Sequence, residues 1–101
     1  MSYKFSRSDA NQAIIVEAFR KLGYVVHHTH QSGSGFPDIV ICSPSGHMEL
    51  VEIKDGNKPP SQQKLTPDQV RFHNNWPRKI PVINSLEAVL KLHMEIINER
   101  R

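Results

Sequence analysis

Two short apolar segments joined by a turn constrain this chain more than any other feature. Pro37-Asp38-Ile39-Val40-Ile41-Cys42 and the stretch from Met48 to Lys54 are rich in β-branched residues, and Ser43-Pro44-Ser45-Gly46 between them is turn material. The pattern predicts an antiparallel hairpin, with Pro37 at the strand start where a missing N–H is tolerated. Side chains alternate along a strand, so Glu52 and Lys54 share one face while Val51 and Ile53 point into a core. The same hairpin lets Asp38 approach Glu52 across the sheet. Whatever fold forms must accommodate two neighbouring carboxylates.

The flanking segments supply cover for that hairpin. Ile14, Ile15, Ala18, Phe19 and Leu22 recur at helical spacing, predicting a helix from about Asp9 to Leu22, capped by Ser8 or Asp9 and stopped by Gly23. Tyr24-Val25-Val26 reads as a short strand, and the polar run from His27 to Phe36, with Gly33-Ser34-Gly35, reads as a loop. After a second polar loop, Asp55 to Ser61, Thr66 caps a helix with Pro67 in its first turn, ending near Trp76 before Pro77. Ile80-Pro81-Val82-Ile83 is a brief edge strand. Ser85 caps a last helix with an apolar stripe of Leu86, Val89, Leu90, His93, Ile96 and Ile97, and Arg100-Arg101 is expected to fray. The order α-β-β-β-α-β-α is an α/β arrangement, a mixed sheet flanked by helices.

At 101 residues and 11.6 kDa, the chain supports one compact domain, 1–101, which buries roughly two-thirds of its unfolded surface. A net charge of +3 permits a polyanionic partner. The single cysteine, Cys42, excludes a disulfide framework and a cysteine-based zinc site, and fits a reducing compartment. No apolar run reaches the ~18 residues of a membrane span, and Met1 to Arg7 lacks the apolar block of a signal peptide, so an intracellular domain with no membrane partner is expected.

Glu52-x-Lys54 alone is uninformative, since such a triplet recurs often by chance and reads equally as a solvated pair. Asp38 alone reads equally as a turn aspartate. Together they pose a problem: two adjacent carboxylates repel, and one is forced neutral unless a cation intervenes. Carboxylate and carbonyl oxygens are the donors that Mg²⁺ prefers, and the Ile53 carbonyl can add a third oxygen. Lys54 would stand beside that ion, placed to orient or activate a water.

These residues resemble a known family. Gly33-x-Gly35-x-Pro37-Asp38, then thirteen residues (39 to 51), then Glu52-x-Lys54, is similar to the PD-(D/E)XK nuclease motif. The continuation Glu52-Ile53-Lys54-Asp55-Gly56, followed by Lys64-Leu65-Thr66-Pro67-x-Gln69 and Phe72-His73, resembles stand-alone VRR-NUC domains of phages and prophages, which are similar to Holliday-junction resolvases. The resemblance implies a restriction-endonuclease-like αβββαβ core followed by a C-terminal helix. It also implies Mg²⁺- or Mn²⁺-dependent endonucleolytic hydrolysis of DNA phosphodiesters. Asp38, Glu52 and the Ile53 carbonyl would be metal ligands, Lys54 the catalytic lysine and Gln69 the helix residue facing the site. Many relatives place a glutamate on the first helix; here that turn reads Asn11-Gln12, either of which could reach a metal-bound water without supplying charge. A one-metal site, or one with a weakly held second ion, is therefore expected.

Around this centre, Lys58, Lys64, Arg71, Arg78 and Lys79 form a basic run suited to phosphate contacts, or simply an ordinary solvated surface. Gly33 and Ser34 could bring backbone N–H groups near a phosphate, but the loop lacks a P-loop's strand-to-helix setting, so no nucleotide cofactor is expected. His27-His28-x-His30 lacks partners for a tetrahedral zinc set. His73 falls one helical turn after Gln69, where it either borders the cleft or packs, and His93 reads as a packed histidine. The sequence thus points to a nuclease for branched or structured DNA, homodimeric so that two sites meet two strands, in the cytoplasm of a bacterial or phage-infected cell. The alternatives are a non-catalytic nucleic-acid-binding module on the same scaffold and a general duplex nickase.

Overall fold

A computed structural model describes residues 7–29 and 32–99. Among the described residues four strands form one sheet in the order β1-β2-β3-β4: β1 (Val25–His28), β2 (Ile39–Cys42), β3 (Met48–Ile53) and β4 (Val82–Ile83). The predicted hairpin is β2–β3, antiparallel, with Ile39 opposite Val51 and Ile41 opposite Glu49. β1 adds antiparallel to β2, and β4 adds parallel to β3 as the opposite edge, so the sheet is mixed. The helices are α1 (Arg7–Lys21), α2 (Pro67–Asn75) and α3 (Leu86–Glu99). This is the expected α-β-β-β-α-β-α order. β1 begins after Tyr24 and takes in His27 and His28, which were expected in the loop.

One face of the sheet carries the core. Val26, Ile39, Ile41, Val51, Ile53 and Ile83 meet Ile15, Phe19, Val89, Leu92 and Ile96 from α1 and α3. Each such side chain contributes about 1.5–3 kcal/mol by leaving water. Two expected stripes shift here. On α1 the buried residues are Ile15, Val16 and Phe19, and Ile14 is exposed. The described helix already includes Arg7, so Ser8 and Asp9 lie within it rather than before it. On α3 the buried residues are Val89, Leu92 and Ile96, whereas Leu86, Leu90 and Ile97 are about half exposed. The apolar arc of α3 is wider than the strip the sheet can cover, and its contact with α1 selects which edge is buried. His93 is partly buried, its ring accepting or donating a 2.9 Å hydrogen bond with the Tyr24 hydroxyl.

α2 lies over part of the other face of the sheet, and local chemistry fixes where that helix starts. Thr66 and Gln69 form a reciprocal capping box: the Thr66 hydroxyl accepts from the Gln69 N–H, and the Gln69 side-chain oxygen accepts from the Thr66 N–H. Pro67 follows at the first helical position, and Trp76 ends the helix. Ser85 caps α3, its hydroxyl accepting from the Ala88 N–H. The loop before β2 presses on the start of α2 at Gly35, where φ is +80° and an added Cβ would overlap the Asp68 carbonyl and the Gln69 nitrogen. Only glycine meets both demands.

Gly33, in the same loop, also has positive φ, but open space surrounds its missing Cβ. Alanine at either position incurs about 1–2 kcal/mol for the left-handed backbone. Gly35→Ala must in addition displace α2, so its melting temperature should fall well below that of Gly33→Ala. Equal melting temperatures in thermal denaturation would contradict this packing.

Candidate active site

Continuing the β2–β3 register one step past Ile39–Val51 sets Asp38 across from Glu52, on the face opposite the core. Asp38 is half-buried, and one of its carboxylate oxygens accepts from the Ile53 N–H at 2.8 Å, extending the hairpin beyond the last backbone pair. Thr29 holds the chain on the other side. Its N–H donates to the Asp38 carbonyl at 2.8 Å and its hydroxyl donates to the Pro37 carbonyl at 2.7 Å.

Glu52 is fully buried, with 0% of its surface exposed. Burial and the hydrogen-bonded, negatively charged Asp38 push its carboxyl up to about 9, and Lys54 opposes them only in part. Without a bound cation, Glu52 therefore holds a proton at neutral pH. Its surroundings donate to it: the Gln69 amide nitrogen lies 3.2 Å from one oxygen and the His73 Nε2 3.4 Å from the other. Burial, and then the charge of Lys54, hold the His73 imidazole below its ordinary range. His73 is therefore neutral at pH 7, and its Nε2 shares a hydrogen with Glu52.

Lys54 donates from Nζ to the Gln69 side-chain oxygen at 2.8 Å. That oxygen also accepts from the Thr66 N–H at 2.9 Å. Two donors on one side fix the amide orientation, so the Gln69 NH₂ must face Glu52. Gln69 thus links Lys54 to Glu52, and Asp38 stands beside Glu52, held by the Ile53 N–H. Asn11 reaches the end of β3 from α1, but its amide donates to the Lys54 carbonyl at 2.8 Å. Gln12 lies 3.4 Å from the His28 ring. The first helix therefore brings amides, not charge, to this end of the sheet. Asn11's grip on the Lys54 carbonyl and Thr29's clamp on the strand start carry no sequence signal. His73 is signalled only by its one-turn spacing from Gln69.

Other predicted positions surround this centre. Gly33 and Ser34 are exposed in the loop that Gly35 anchors against α2. Lys64 is exposed just before α2, and Arg71 is exposed on it and paired with Asp68. Lys58 is half-buried, and its carbonyl accepts from the Gln63 amide at 2.6 Å. His27 and His28 occupy successive β1 positions on opposite faces, and His30 lies outside the described residues, as do Arg100 and Arg101. Among the described residues, no three His, Cys, Asp or Glu side chains converge to hold a metal. The available donor set is two carboxylates and the Ile53 carbonyl. Those are hard oxygen donors, and two carboxylates held side by side by the hairpin favour a cation between them, so the residues fit Mg²⁺ or Mn²⁺.

A solved structure described as a VRR_NUC domain matches this fold with a TM-score of 0.67 and 28% sequence identity, over 89% of this chain and 97% of that one. No family model and no curated protein matches the sequence.

A carboxyl with a raised folded-state pKa contributes stability below its unfolded value, near 4.5, and loses it as pH rises through about 9. Glu52→Gln, which keeps the shape and cannot ionise, should therefore melt above the wild type in EDTA at pH 8. The difference should shrink by pH 5. A pH-independent difference between the two melting curves would contradict the protonated state of Glu52.

Proposed function

We propose that this chain, whose structure is that of a VRR-NUC domain, is an endonuclease that hydrolyses DNA phosphodiester bonds with Mg²⁺ or Mn²⁺. The nuclease fold rests on the structural match. The observation that carries the chemistry is the fully buried Glu52 beside Asp38, with Lys54 on the same sheet face and joined to Glu52 through Gln69.

In this reading Asp38, Glu52 and the Ile53 carbonyl hold the ion. When bound, the ion supplies a water of lowered pKa and positive charge at the phosphoryl oxygen. The remaining work belongs to the chain. Glu52 gives up its proton to become a ligand, and Gln69 and His73 hold its two oxygens in place by donating to them. Lys54 keeps its ammonium directed into the site by donating to Gln69, where it offsets the negative charge that grows on phosphorus oxygens in the transition state. The exposed Gly33-Ser34 backbone, Lys58, Lys64 and Arg71 receive neighbouring phosphates, contacts that position the strand without reading its sequence.

Branched or structured DNA is the favoured substrate, and a homodimer is the favoured assembly. Leu86, Leu90, Met94 and Ile97 repeat at one-turn intervals along α3 and are each 51–54% exposed, an apolar strip that a second copy would cover. Two copies would present two sites to two strands. The free thiol of Cys42 and the dependence on intracellular Mg²⁺ and DNA suit the cytoplasm of a bacterial or phage-infected cell.

The test is cleavage of a labelled panel in Mg²⁺ and Mn²⁺: single strand, duplex, flap, splayed arm and four-way junction. The wild type should cut at least one branched member, and Asp38→Ala and Lys54→Ala should each lower the rate by about 10²–10³-fold. Binding without cleavage by the wild type would instead support an inert binding module. Preference for plain duplex would favour a nickase.

A further inference from the structure

α2 is too short to cover the sheet face on which the carboxylates lie. Its nine residues span ~14 Å, and Pro77 prevents the helix from continuing past Trp76. The face beyond it, Val40, Leu50 and Met48, is left only partly covered, and Met48 is 65% exposed. Along this edge the aromatic residues form a wall. Phe36 meets Phe72 edge to face at 5.0 Å, and Phe72 stacks on Trp76 at 5.4 Å with 19° between the rings. Trp76 remains 41% exposed. Wall and floor enclose an open slot of about 280 Å³, with Arg78 and Lys79 at its rim.

We infer that this slot binds an unpaired nucleobase by stacking on Trp76, on a DNA strand whose neighbouring phosphate lies at Asp38 and Glu52. The inference deepens the nuclease reading and rests on it for the identity of the polymer. Three observations carry it. The slot is continuous with the site: Val40 lies two residues after Asp38 and its partner Leu50 two before Glu52, on the same face, a step of about 7 Å along the strands. Its wall is planar and aromatic, and any base offers a π-face to such a surface. Its rim is basic, matching the phosphates on either side of the base. Lys79 is exposed, and Arg78, although it donates to Glu49 at 3.2 Å, has further guanidinium donors. Glu49, which also borders the slot, is held by His47 and Arg78 and so is not a bare opposing charge. A base inside a duplex is already stacked and paired on both sides, so only an unpaired one can enter.

Trp76 is the only tryptophan in the chain, and its emission reports directly on the slot. The experiment titrates the wild-type chain in EDTA with an oligothymidylate of about twelve nucleotides, and separately with a fully paired duplex. Tryptophan emission and the anisotropy of labelled DNA are followed in parallel. The single strand should quench Trp76 emission along its own binding curve, and the duplex should not. Trp76→Ala should weaken single-strand binding by about tenfold and duplex binding by less than twofold, and Trp76→Phe should restore most of the loss. Single-strand binding without any change in Trp76 emission would overturn the inference, as would equal affinities of wild type and Trp76→Ala. If Trp76→Ala fails to fold, the wild-type emission decides. Stacking is read in EDTA and cleavage separately in Mg²⁺ or Mn²⁺: quenching by a chain that cuts nothing with metal would overturn the nuclease reading alone, and cleavage with metal but no quenching in EDTA would overturn the slot alone.

Discussion

The structure depends on the burial of one carboxyl group beside another. Glu52 sits at 0% exposure across from Asp38, in a hairpin whose register permits no other pairing without turning Ile39, Ile41 and Val51 out of the core. Hydrophobic burial on one face of β2 and β3 therefore enforces an electrostatic conflict on the other. Burial first, and then that conflict, push Glu52 up to about 9 and leave a proton where a cation would be favourable. A chain selected only for stability would have little reason to keep this arrangement, since an apolar residue at either position would relieve it.

Gln69 ties this conflict to the rest of the fold. Its oxygen closes the capping box of α2 and accepts from Lys54, while its NH₂ faces Glu52. One side chain thus starts a helix, directs the lysine and orients the buried carboxyl. Gly35 sets the distance over which this works by letting the loop before Asp38 lie directly on the first turn of α2. Asn11 closes the arrangement from the opposite layer by holding the Lys54 carbonyl. The site is therefore rigid for ordinary reasons of capping and backbone pairing, and its geometry is inherited from the elements that meet there.

Much of this was legible in the sequence. The element order followed from local signals: alternation in the hairpin, Thr66-Pro67 and Ser85 as helix starts, and Gly23 and Pro77 as stops. The juxtaposition of Asp38, Glu52 and Lys54 followed from the period of two and the short turn between strands. What was not legible depends on tertiary packing. Leu86, Leu90 and Ile97 are as apolar as Val89, Leu92 and Ile96, and only the docking of α3 on α1 and the sheet decides which are buried. Ile14 was misplaced on α1 for the same reason. Glu49 lies on the core face between His47 and Arg78, a pairing across 29 residues that periodicity cannot reveal. The row Phe36, Phe72 and Trp76 becomes a wall only once the loop and the helix are brought together.

On the proposed function, the Asp38–Glu52 pair holds a proton when empty and would exchange it for a divalent cation. Isothermal titration of the EDTA-treated chain with Mn²⁺ near pH 7.5, in buffers of differing ionisation enthalpy, measures that exchange directly. The wild type should show one binding event that releases close to one proton, with both the event and the release lost in Glu52→Gln. Mn²⁺ binding that releases no proton, or that survives unchanged in Glu52→Gln, would contradict that exchange.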